Sequence, residues 1–177
     1  MDKVISRIMN AENWPNIELP ENLELLNEIA DETFATQTFS GMLSAVLMYH
    51  QLIEAMCIHL LDDCHFFIQL SLHPATIQFS KRRSEMLGAY VKELQETVSF
   101  YKKEEYLEKV ISFNQMRNKA IHEMRKSNLE QISENLRCAK VIFDEIYALY
   151  DEIQDDFRAT FHGFKKDVFM DEYGSEE

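Results

Sequence analysis

The stretch FSGMLSAVLMYHQLIEAMCIHLLDDCHFFIQLSL, residues 39–72, contains no proline and a single glycine. Met42, Leu43, Val46, Leu47, Ile53, Met56, Cys57, Leu60, Leu61, Cys64, Phe67 and Ile68 recur at helical spacing along it. A stripe that broad predicts contacts on more than one side, as in the central helix of a bundle or one shared with a second subunit. The length exceeds the usual globular range, which makes Asp62–Asp63 the place to look for a kink.

The rest of the chain reads as shorter helices around this one. Residues 1–20 comprise a short helix (1–11) and an irregular connector in NWPNIELPEN, which holds two of the three prolines. Leu23, Leu26, Ile29 and Ala30 predict a helix from about Glu21 to Glu32. His73-Pro74 ends the long element. A basic helix follows over roughly Ser80–Thr97, with Met86, Leu87, Tyr90, Val91 and Leu94 on its inner face. The next helix, about Glu104–Glu123, carries Leu107, Val110, Ile111, Asn114 and Ile121. Ser127-x-x-Glu130 reads as a capping box, and a final helix runs to about Phe157 through Ile132, Leu136, Ala139, Ile142, Phe143, Ile146, Leu149 and Ile153. The expected organisation is one all-α helical bundle over 21–157 and an acidic tail over 158–177. Four glycines in 177 residues fit this better than any turn-rich β or α/β fold.

Composition narrows the function. Cys57, Cys64 and Cys138 are widely spaced among apolar neighbours and read as buried free thiols. The start MDKVISRIMN has no apolar signal core, and no uninterrupted apolar run reaches the roughly 18 residues of a membrane span. The expected location is the cytoplasm, without a membrane partner. A net charge of −13 argues against non-specific affinity for nucleic acid. That charge is uneven: residues 81–126 carry 11 basic against 7 acidic residues, while both flanking regions are strongly acidic.

The basic region ends in MRNKAIHEMRKSNLEQ, residues 116–131, where Arg117 and Asn118 precede His122. On an ideal helix, residues five apart point about 140° away from each other. Two arrangements would bring Arg117 and His122 together. Either the helix loosens at His122, or a second copy supplies the missing partner across a two-fold axis.

Arg117-Asn118-Lys119-Ala120-Ile121-His122 resembles the R-x4-6-H motif of the HEPN superfamily, all-α bundles that include toxins, anti-phage proteins and RNA-processing factors. The architectural likeness spans about residues 37–157. The resemblance implies a symmetric homodimer and a metal-independent endoribonuclease that attacks through the ribose 2′-hydroxyl, with no cofactor or metal. His122 would be general base or general acid. Arg117 would hold the scissile phosphate and stabilise its developing charge. Asn118 would orient the histidine or the phosphate, and Glu54 on the long apolar helix would position Arg117. Partners on this reading are an RNA substrate and a protein such as an antitoxin.

The same residues support plainer readings. A protonated histidine near a helix C-terminus is favourable by roughly 0.3–1 kcal/mol. Arg117 would equally serve as a structural ion pair with Glu54 or Glu123. The whole chain would then be a non-catalytic HEPN-like or mannitol-repressor-like dimer that regulates by protein contacts. His50–Glu54 and His59–Asp63, each four apart, read as local hydrogen bonds, because no E-x-x-H repeat completes a metal site. Lys81-Arg82-Arg83 reads as a solvated helix start.

Overall fold

What covers so broad an apolar stripe is visible in the computed structural model, which describes residues 14, 21–79, 86–123 and 128–167. The chain is all-helical across these residues, with α1 at Glu21–Ala35, α2 at Phe39–Leu72, α3 at Leu87–Thr97, α4 at Lys103–Glu123 and α5 at Leu129–Asp167. The expected helix over residues 1–11, the start of the basic helix at 80–85 and Ser127 lie outside the described residues.

α2 is the hub. α1 returns along it after a three-residue turn, and α3, α4 and α5 each pack on it. Thr38 starts α2 by accepting a hydrogen bond from Gly41 N–H at 3.1 Å. Gly41 is needed there, because a Cβ would lie 2.7 Å from the Thr33 carbonyl oxygen. Side-chain pairs fix the directions. Tyr49 stacks on Phe143, His59 meets Tyr150, Gln154 donates to Asp63, and Phe67 stacks on Phe161. Residue numbers rise together, so α2 and α5 run parallel. Lys102 pairs with Glu152 and Lys109 with Glu145, so α4 runs antiparallel to α5 and hence to α2. Leu87 lies beside Glu54 and Glu93 beside His65, which sets α3 parallel to α2.

The core is apolar and aromatic. Tyr49, Tyr106, Tyr150, Phe66, Phe113 and Phe143 head its fully buried side chains. Each such ring contributes roughly 1.5–3 kcal/mol when withdrawn from water. Trp14 adds an edge-on contact to Phe66, so part of the expected connector region belongs to the core.

Several expectations need correcting. α2 has no break at Asp62–Asp63; Asp63 is buried and accepts from Gln154 at 3.4 Å, so the helix passes through. α5 continues to Asp167 and buries Phe161, whereas the acidic tail was expected from 158. Met86 stands just before α3 and is 68% exposed, so it is not on the inner face. On α4 the buried residues include Tyr106 and Phe113, while Ile111 turns outward. Asn128 caps α5, its side chain accepting from Glu130 N–H at 3.1 Å, while the Ser127 half of the expected capping box lies outside the described residues. The three cysteines are free, and Cys138 is only half-buried.

By length and composition α2 would also cross a membrane, but half of that window is buried within the bundle. Its burial of His50, Asp63 and Gln69 and its packing on four neighbours are those of a core helix.

Candidate functional site

α4 stays a regular helix through Glu123, so it does not loosen at His122. Arg117 is half-buried against the bundle and His122 is exposed on the last turn. Their directions therefore diverge by about 140°. Of the two ways to bring them together, this geometry leaves only the one that uses a second copy.

Arg117 lies near His50 of α2, close enough for its charge to act on the imidazole. Its Nη1 donates to Asn118 Oδ1 at 2.8 Å. Its Nε is buried and finds no partner among the described residues. No ion pair joins it to Glu54 or any other described carboxylate. Asn118 thus steadies the arginine itself, which differs from the role that the HEPN resemblance implies. The side chain of Glu123, the other suggested partner, lies outside the described residues.

Glu54 is occupied elsewhere. Oε1 accepts from Leu87 N–H at 2.9 Å, and Oε2 accepts from Gln51 Nε2 at 3.1 Å. α3 begins at Leu87, and Met86 before it offers no side-chain cap. The Glu54 carboxylate takes that role, meeting both the free amide and the positive end of the helix dipole. Its Oε2 also stands 3.8 Å from His50 Nδ1.

His50, which the sequence paired only locally with Glu54, also lies beside Arg117. It is buried, and burial lowers its pKa from the usual 6.5; the Arg117 charge pushes in the same direction, and Glu54 opposes both. His50 is therefore neutral at pH 7 and adds no second cation beside Arg117. Only its spacing to Glu54 was readable in the sequence. Nothing local announces that α4 brings Arg117 beside it.

Two other polar groupings are structural. His59 Nδ1 and Tyr150 Oη lie 3.2 Å apart across α2 and α5. Cys57 lies 3.7 Å from the Tyr106 hydroxyl, and burial pushes its thiol up to about 12, as it does that of Cys64. Neither thiol ionises near neutral pH.

A cavity of about 400 Å³ opens at the other end of the bundle, between Cys64, Phe67, Phe100, Phe157 and Thr160. It is largely apolar and lies about 30 Å along α5 from the Arg117 level. It belongs to the packing of the far end and shares no residue with the Arg117 cluster. No family model, curated protein or solved structure matches this chain.

Proposed function

We propose that the protein is a HEPN-like, metal-independent endoribonuclease, of the toxin or anti-phage kind, that works as a symmetric dimer. One observation carries the reading. In a chain with 31 acidic and 18 basic residues, Arg117 is half-buried, has a buried Nε without a partner, and makes no ion pair with a described carboxylate. With Nε buried and one Nη1 proton on Asn118, the remaining Nη protons are the donors that would engage a phosphate, through two parallel hydrogen bonds.

In the reaction, a base takes the 2′-hydroxyl proton and O2′ attacks phosphorus. The P–O5′ bond breaks and an acid returns a proton to O5′. The products are a 2′,3′-cyclic phosphate and a 5′-hydroxyl. An exposed imidazole such as His122 suits either proton transfer. Arg117 stabilises the charge gathering on the phosphoryl oxygens. The test is cleavage of a mixed RNA pool in EDTA by wild type beside His122→Ala. Cleavage lost in the variant supports the reading, and equal cleavage by both overturns it.

A second reading has its own support. From Ser40 to Gln51 the exposed side of α2 is uncharged and partly apolar, which suits a protein-interaction module. There, Arg117→Ala and His122→Ala would leave function intact while substitutions on that face abolish it.

A further inference from the structure

Helix packing at the far end of the bundle leaves the cavity of about 400 Å³, a volume within the ~300–1,000 Å³ usual for small-molecule sites. Phe67 of α2, Phe100 of the α3–α4 link and Phe157 of α5 all line it. Phe157 meets each of the other two edge to face. Its centroid lies 5.5 Å from that of Phe67 with the planes at 74°, and 5.7 Å from that of Phe100 with the planes at 78°. Rings at near right angles form the corner of a box rather than a flat stack.

Charge narrows the class of ligand. Among the described residues that line the cavity, only Asp156 carries a charge, and it is exposed. Residues 151–160 hold four acidic side chains against one basic, Arg158, and Arg158 pairs with Asp155 at 2.8 Å. Lys103 is near enough for its charge to act on Cys64 in the lining. Its ammonium, however, donates to the carbonyl oxygens of Leu94, Gln95 and Val98 at 3.3, 3.2 and 2.8 Å, which fixes it to the C-terminal end of α3. An anion would need donors, and the Thr97 and Thr160 hydroxyls already donate to the Glu93 and Asp156 carbonyl oxygens. A cation without N–H groups needs no acceptor of its own. Ring faces and one carboxylate are enough to hold it.

We propose that this cavity binds a small soluble organic cation, an alkylated ammonium with an apolar or aromatic body, its head among Phe67, Phe100 and Phe157 and beside Asp156. A trimethylammonium group alone would fill only a small part of the volume. The room left over favours a whole molecule over a head presented by a lipid or by a modified lysine side chain. The site shares no residue with the Arg117 cluster and does not depend on the nuclease reading.

The test is a ligand-observed NMR titration of the full chain with phenyltrimethylammonium, its neutral isostere tert-butylbenzene, and choline. Phenyltrimethylammonium should bind with a dissociation constant of about 1 mM or tighter, and choline about 5-fold more weakly or worse, since it lacks the aromatic body. Asp156→Asn changes an exposed side chain and should leave circular dichroism as in wild type. It should weaken phenyltrimethylammonium about 5-fold and leave tert-butylbenzene unchanged. Phe100→Leu keeps an apolar side chain but removes the ring, and should weaken the cation by a similar factor. No binding of phenyltrimethylammonium up to about 10 mM, or equal affinity in wild type and both variants, overturns the site. Binding of tert-butylbenzene without the cation overturns the charge assignment. Choline bound as tightly as phenyltrimethylammonium overturns the small soluble ligand in favour of a head presented by a larger molecule.

Discussion

Lys140 and Arg117 are both half-buried cations beside the first half of α2, yet the bundle treats them in opposite ways. Lys140 bridges Asp31 and Asp144 and lies over the rings of Tyr49 and Phe143. Burial works against its charge, but the two carboxylates outweigh that and raise its pKa. Tyr49 closes the network by donating to Asp31 at 2.6 Å. Arg117 has the neighbouring Asn118, a buried orphan Nε and no described carboxylate partner. Arg117 makes no such pair with a described carboxylate, which is consistent with the phosphate-binding role proposed for it.

The difference is measurable in stability. Lys140→Met leaves Asp31 and Asp144 facing each other near Tyr49 and should cost about 1–3 kcal/mol, after allowance for its partial exposure. Arg117→Met removes an unsatisfied buried donor and should change stability by no more than about 0.5 kcal/mol, in either direction. Denaturant melts of the two variants decide it. A larger loss for Arg117→Met would make that arginine structural and erase the contrast.

Glu54 sharpens the same comparison, because its carboxylate stands 3.8 Å from His50 but serves α3. Glu54→Ala should cost about 1–2 kcal/mol through the lost cap, while Glu54→Gln, which keeps an acceptor for Leu87 N–H, should cost about half as much. Equal losses from both would show that the charge, not the hydrogen bond, holds the helix start.

His50 gives a pH signature. Its folded pKa lies below the unfolded 6.5, so between those values the unfolded chain binds more protons. Its contribution is complete above pH 6.5 and is lost as pH falls through 6.5 toward the lowered value. His50→Gln should flatten that part of the stability–pH curve, and an unchanged slope would remove His50 from the buried cluster. A further local effect is expected at the α1–α2 turn. Gly41→Ala gains helix propensity but crowds the Thr33 carbonyl, for a net loss of about 1 kcal/mol in a thermal melt.

Much of the fold was readable from the sequence, for reasons that particular residues make clear. The apolar stripe and the shortage of glycine and proline predict α2 with the ends it has, Phe39 and Leu72. Ile132 through Ile153 predict the buried face of α5 in the same way. What escaped depends on distant partners. Two adjacent aspartates look like a helix break until Gln154 arrives from α5 to meet Asp63. Phe161 sits among charges in sequence and is buried only because Phe67 stacks on it. Of the candidate site, Arg117 and His122 could be singled out from their spacing, and their divergence followed from helix geometry. That Glu54 caps α3, and that His50 feels Arg117, depends on helix packing that no local pattern encodes.

The most direct measurement is the rate at which Arg117→Met cleaves a mixed RNA pool in EDTA, with folded content matched to wild type by circular dichroism. The account predicts cleavage by wild type and a fall of about 100-fold or more in the variant, without loss of stability. Cleavage at the wild-type rate by Arg117→Met would contradict it.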